Sequence, residues 1–499
     1  MTAARRCRLL FAALIFATGG ALAQSSPASA DVLSSTPAQV RFGFERVKLP
    51  GGEKMGLAGT SYLLEVAPGW WFGPSAYGAI TGERGGLFTV GVEGAWRHQL
   101  VGPLGIELGY YAGGGGGGSA PVGSGLMLRP HVDLLWQAGE HRFGLSLSQV
   151  RFADGQIDSR QLGLVWSFDT DFRHVPSERL GGRVVSHARS GIGFDRVQAV
   201  AGVYRPRSGA RRVTGAPLPA SIGFAGARLE QAFTDTAYWG IEANGAASGG
   251  VAGYAEYLAT LGTETALWGD QLTVGARVAL GMGGGGDVDV GGGLLMKASV
   301  YGISRVAGDL GVTFEGGMVN APQGSFKALY GSVALNWILD DRVSGAVPSR
   351  TTRTEWVGGI ERYRAARRDG SERDLQAVSL RVNRYIAPNV YLSGQAHSAL
   401  DGGAGGYSVG LLGLGVRTSL GPRWHAGVEA LAGAAGGGGV DTSGGLVMQP
   451  MAYAGYELAR GLALRAGAGY IKSVRGPLSS PVFELSLAYT FGVASRGYR

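Results

Sequence analysis

The 499-residue chain has a single cysteine, Cys7, close to its start. Everything after it is therefore without a disulfide, a thiolate metal site or a lipidated cysteine. Long hydrophobic runs are equally scarce. The one compact apolar block, LLFAALIFA at 9–17, follows Arg5, Arg6 and Arg8 and precedes Ala21-Leu22-Ala23. That order predicts a cleaved secretory signal peptide over 1–23, with a core too short for a membrane span; an uncleaved anchor is the rival reading. Beyond residue 23 no apolar stretch approaches the length of a transmembrane helix. Charge of one sign is not concentrated either. The chain has 45 Lys and Arg against 37 Asp and Glu, and three of the arginines fall in the signal. Local basic clusters at Arg205–Arg212 and Arg362–Arg368 sit in predicted loops, and no nucleic-acid stripe emerges.

Glycine, by contrast, supplies 90 residues, which depresses helix formation throughout. Three marks recur. AYGAITGERGGL around Ala76 returns as ANGAASGGVAGY around Ala243 and AHSALDGGAGGY around Ala396. A glycine run leading into a small apolar cluster occupies 113–128, 283–296 and 436–448. GLVWSF (163–168), SVALNW (332–337) and SLAYTF (486–491) close the units. The agreement of three independent marks indicates true internal repeats of about 150 residues. The expected organisation is an N-terminal extension at 24–36, β repeats at 37–172, 190–340 and 355–499, and linkers at 173–189 and 341–354.

Each repeat carries dyad alternation. Phe88, Val90, Val92 and Trp96 alternate with Thr89, Gly91, Glu93 and Arg97; Phe483, Leu485, Leu487, Tyr489 and Phe491 alternate with Glu484, Ser486, Ala488 and Thr490. One face suits lipid and the other a polar lumen. Turn-bounded segments number eight per repeat. In the third they run 355–366, 374–386, 390–399, 406–419, 424–437, 445–457, 461–472 and 481–492. A soluble sandwich or propeller is disfavoured because small polar faces such as Ser486, Ala488 and Thr490 cannot fill a dry core.

The signal, the dyad strands and the LxLxYxF-like closing segment resemble bacterial outer-membrane β-barrel proteins, and each repeat alone resembles a small eight-stranded member. The resemblance implies outer-membrane lipid, lipopolysaccharide and the β-barrel assembly machinery as partners. It makes Phe491 the terminal aromatic residue that machinery reads, although Gly492 to Arg499 follow it. The expected fold is all-β, a transmembrane antiparallel barrel of three eight-stranded repeats. One 24-stranded barrel is favoured over three tandem eight-stranded barrels, because small inward residues would leave voids in a narrow barrel.

Parity puts Glu93, Arg97, Glu256, Glu264 and Arg417 on the wet face of the fourth strand, as candidate lumen-lining residues. His397-Ser398 with Asp401 is the best enzymatic candidate, but neighbours on a strand point to opposite faces. Asp287 and Asp289, with Asp441 in the third repeat, could touch calcium in a glycine-rich loop, but they lack a fuller ligand set. The glycine runs suit a curved, thin wall near the loop rim, or a rim loop folded inward. No catalytic residue, cofactor or metal is expected. The expected function is a porin-like or export channel for a solute or polymer; the alternatives are a non-conducting scaffold of tandem small barrels and, third, a lipid-modifying enzyme.

Overall fold

The structure is a computed structural model that describes residues 33–186, 190–267, 271–339 and 347–495. The segment read as a signal peptide lies outside the described residues. The first repeat forms β1 (Ser34–Lys48), β2 (Lys54–Ala67), β3 (Trp70–Thr81), β4 (Phe88–Val101), β5 (Leu104–Gly116), β6 (Met127–Ala138), β7 (His141–Phe152) and β8 (Asp158–His174). A short β9 (Arg183–Ser186) follows. The second repeat forms β10 (Arg196–Pro206), β11 (Ile222–Ala232), β12 (Ala237–Ala246), β13 (Ala255–Leu267), β14 (Leu272–Gly284), β15 (Leu294–Ala307), β16 (Leu310–Asn320) and β17 (Lys327–Ile338). The third forms β18 (Val347–Ala366), β19 (Glu372–Tyr385), β20 (Val390–Asp401), β21 (Ser408–Ser419), β22 (Trp424–Gly436), β23 (Leu446–Ala459), β24 (Leu462–Ser473) and β25 (Ser479–Ser495).

Twenty-four of these strands close into three antiparallel eight-stranded sheets, one per repeat. Closure joins β1 to β8, β10 to β17 and β18 to β25, so the repeated closing segment pairs with the first strand of its own unit. The expected three eight-stranded repeats are thus three closed sheets. The small inward residues read from the closing strands stand beside very large ones from other strands, including fully buried Arg228, Arg465, Tyr111, Tyr204 and Tyr391. A Cβ at inward Gly59, Gly262 or Gly415 would strike the ring of Tyr77, Tyr238 or Tyr391. Small residues make room for long ones, and an eight-stranded interior is just filled.

Part of each stretch read as a linker is paired: β9 joins the start of β18 through Arg183↔Arg350 to Ser186↔Val347. Outward faces carry an apolar belt, with Leu162, Val300, Phe314 and Phe483 each more than half exposed. One end of barrel 1 has two-residue turns, as at Gly139-Glu140, where Gly139 takes φ 64° for the tight hairpin. Aromatic residues gather there: Phe42 and Phe143 stack on Trp166 with centroids 5.3 and 6.5 Å apart. The opposite end has the longer loops and the glycine runs.

Those runs join the barrels. Gly86, Gly253 and Gly406 occupy the same place in the three copies of the first repeat mark, with φ of 91°, 97° and 91°. Each abuts the glycine run of another barrel. A Cβ at Gly253 would lie 2.7 Å from the Gly437 nitrogen, and one at Gly406 2.7 Å from the Gly117 nitrogen; one at Gly86 would strike Gly285. Only glycine combines that backbone conformation with so close an approach. Gly85 N donates to Gly291 O at 2.9 Å, and Gly406 N to Gly115 O at 3.0 Å. Barrel 1 thus meets barrel 2, barrel 2 meets barrel 3 and barrel 3 meets barrel 1 through one repeated contact. At the short-turn end barrels 1 and 3 also lock through Phe172 against Phe491 and Trp356, 5.1 and 4.9 Å between centroids. Phe491, expected as the terminal aromatic residue read by the assembly machinery, is buried in that joint.

Candidate functional site

Alternation along the strands sends ionisable side chains inward, where they meet partners from non-adjacent strands. In barrel 1, Arg41 on β1 binds Glu93 on β4 and Asp133 on β6, and lies 3.2 Å from Glu107 on β5. These strands are not neighbours in the ladder, so the contacts cross the barrel. Ser61, Ser75 and Tyr77 donate to the free oxygen of Glu93 at 2.8, 3.0 and 3.1 Å. Arg129 crosses from β6 to Glu45 on β1 at 2.8 Å, and Arg97 holds Glu107 at 2.6 Å.

Barrel 2 reaches the same end with different residues. Arg228 binds Glu242 at 2.6 Å and Glu315 at 3.0 Å; Arg277 binds Glu230 at 2.6 Å. Lys297 binds Glu256 and Glu242, and Tyr204 and Tyr254 also donate to Glu256. Arg196 pairs with Glu264 at 2.8 Å. In barrel 3, Arg381 spans Glu429 and Glu484 at 3.0 and 2.6 Å, while Arg465 and Arg417 hold Glu355 at 2.6 and 3.3 Å.

The five residues picked by parity, Glu93, Arg97, Glu256, Glu264 and Arg417, all stand in these interior networks. Sequence reasoning missed their partners, because β1–β4 or β11–β16 proximity has no local signature.

An apolar cluster fills the loop end of each barrel. In barrel 1 it comprises Val47, Met55, Leu57, Leu87, Met127 and Phe152. The segment after the glycine run turns in over it: Val122, and correspondingly Val288 and Val440, belong to the clusters of their own barrels. Burying these residues offsets the cost of ordering the loops.

His397 faces the interior, 2.9 Å from Glu361 and 2.9 Å from Gln395, whereas Ser398 faces the other way and contacts Ser408. They form no nucleophile–base pair. Asp289 accepts from Gly291 N and Ser325 N, and Asp441 from Ser443 N, so these carboxylates staple loops. Glu107, His131 and Asp133 place ligand atoms within 4.8 Å of one another. The Arg41 guanidinium already sits against both carboxylates, where a cation would sit, so the group does not fit a metal. Outside the strands, Arg84 in the β3–β4 loop is held above its ordinary value by hydrogen bonds to Glu53.

Closed barrels with apolar belts and aromatic girdles are the architecture of bacterial outer-membrane β-barrel proteins. No protein-family model and no curated protein matches the chain. Among solved structures it is similar to OpdQ of Pseudomonas aeruginosa, at 10% identity over 93% of this chain and 98% of that one, TM-score 0.21. It is also similar to the siderophore receptor PirA of Pseudomonas aeruginosa, at 11% identity over 94% and 81%, TM-score 0.28. A BenF-like porin of Pseudomonas fluorescens Pf-5 gives 9% identity over 93% and 99%, TM-score 0.24. Superpositions this poor carry no argument about pore or substrate.

Proposed function

We propose that this protein is an outer-membrane body of three small barrels joined in one chain, each closed to solute, acting as a non-conducting scaffold. The observation that carries this reading is the filling of the interiors: ion pairs cross each barrel at mid-height, and an apolar cluster closes the loop end. The membrane placement is supported by the outward apolar belt and the aromatic girdle. The three-barrel form is then the form in the bilayer, with the short turns towards the periplasm and the glycine seams towards the outside.

The test is single-channel conductance of the refolded chain in a planar bilayer, after heat-modifiable gel mobility has shown it folded. Silence is expected. Steps on the nanosiemens scale would overturn the reading and favour the porin-like channel. That second reading has one observation of its own: Glu93, Arg97, Glu256, Glu264 and Arg417 offer both signs of charge inside the barrels. Conduction through them requires the crossing pairs to separate.

A further inference from the structure

The three seams bring the barrels together at the loop end, and the outward walls leave a space between them. It amounts to about 2700 Å³ and is walled by residues of all three barrels, such as Phe72 and Trp96, Leu229 and Trp337, Leu392 and Leu412. Its ceiling is formed by the seam glycines Gly86, Gly253 and Gly406 with Gly116, Gly284 and Gly436. Its other rim, at the short-turn end, carries Ser34, Ser177, Arg384 and Arg460 together with Glu65 and Glu178. The wall is the inner continuation of the lipid-facing belt, so it has the chemistry of a surface that is covered by hydrocarbon everywhere else on the molecule.

We propose that this chamber is a phospholipid site, holding acyl chains drawn from the inner leaflet with the headgroup at the rim that carries Arg384 and Arg460. The inference rests on the membrane reading above. Three observations select the occupant. An apolar space of this size forfeits dispersion contacts along its whole wall when empty, and water gains little there; hydrocarbon satisfies it. The glycine seams draw the barrels together at the loop end, where lipopolysaccharide would enter, and the short-turn end faces the leaflet made of phospholipid. At that end Arg460, 3.9 Å from Glu178, and Arg384, donating to Thr354 at 3.3 Å, supply guanidinium groups suited to a phosphate.

Glycines on the chamber wall make the test clean. A Cβ at Gly94 or Gly394 would meet only ordinary contacts at 3.8 Å, and one at Gly410 nothing within 4 Å. Leucines at these positions narrow the chamber and obstruct extended acyl chains without touching a barrel interior. Gly316, on the outer wall of barrel 2 and also clear within 4 Å, is the control. The full chain is refolded into vesicles of phosphatidylethanolamine and phosphatidylglycerol and extracted into mild detergent; retained phospholipid is then counted by native mass spectrometry. Wild type and Gly316→Leu should retain phospholipid. The variant carrying Gly94→Leu, Gly394→Leu and Gly410→Leu should retain several-fold less at unchanged heat-modifiable mobility. Should the triple variant fail to refold, Gly410→Leu alone should move the count in the same direction. Equal retention in narrowed and wild-type proteins, or none in folded, inserted wild type, would overturn the site. Failure of wild type to insert at all would instead remove the membrane reading.

Discussion

The inside of a barrel and the space between barrels are built by opposite faces of the same strands, and they are filled in opposite ways. Inside, β4 presents Glu93 to Arg41 on the distant β1 and Arg97 to Glu107 on the adjacent β5. Outside, the same β4 presents Val92, Gly94 and Trp96 to a chamber that the protein itself leaves open. The inside has no solvent to borrow and must pack with its own residues. The outside lies in a bilayer and can leave packing to lipid. Equivalent interior positions are accordingly free to differ so long as charges balance locally: Arg129 and Lys297 follow the same repeat mark, yet Gln449 takes that place in barrel 3. The seam positions are held to glycine in all three copies.

Substitutions can break this contrast, beginning with the largest effect. Arg41→Met leaves Glu93 and Asp133 buried without their cation, which costs about 3–5 kcal/mol for a broken buried pair. The urea midpoint of barrel 1 should fall sharply, and adding Glu93→Gln with Asp133→Asn should restore much of it. A wet, wide lumen would tolerate Arg41→Met. Phe491→Ala removes a fully buried ring from the joint between barrels 1 and 3 and should cost about 3 kcal/mol. Limited proteolysis should then reach the 173–195 segment while barrel 2 stays resistant.

Gly406→Val should cost about 1–2 kcal/mol from its backbone conformation, before the clash with Gly117 is added. Its signature is separation of barrels 1 and 3, read by cross-linking, with the strand signal in circular dichroism retained. At the small end stands the exposed Asp369, whose carboxyl is held below its ordinary value by hydrogen bonds from Ser371. A depressed folded pKa stabilises above the unfolded value and is lost as pH falls through the folded one. Asp369→Asn should lower the neutral-pH urea midpoint only slightly, because the group is in water, and the difference should vanish at acid pH.

Strands were legible from sequence because alternation is local. The segments read as 390–399 and 424–437 are Val390–Asp401 and Trp424–Gly436. Closure was not legible. It depends on whether β8 turns back to β1 or goes on to β10, and the residues that decide it, Arg41, Arg129 and Tyr77 among them, act on partners 52 to 92 positions away. The glycine runs were seen, but a single chain position does not reveal that its partner is the first mark of another repeat.

The most direct measurement uses the absence of cysteine after Cys7. Phe42 on β1 and Trp166 on β8 stand opposite each other, so Phe42→Cys with Trp166→Cys places two thiols across the proposed closure. The account predicts that the refolded, membrane-inserted chain forms this disulfide readily and keeps its heat-modifiable mobility. A chain that fails to form it, and instead bridges the β8 cysteine to one placed on β10, would show the strands running on into a single wide barrel and would contradict the account.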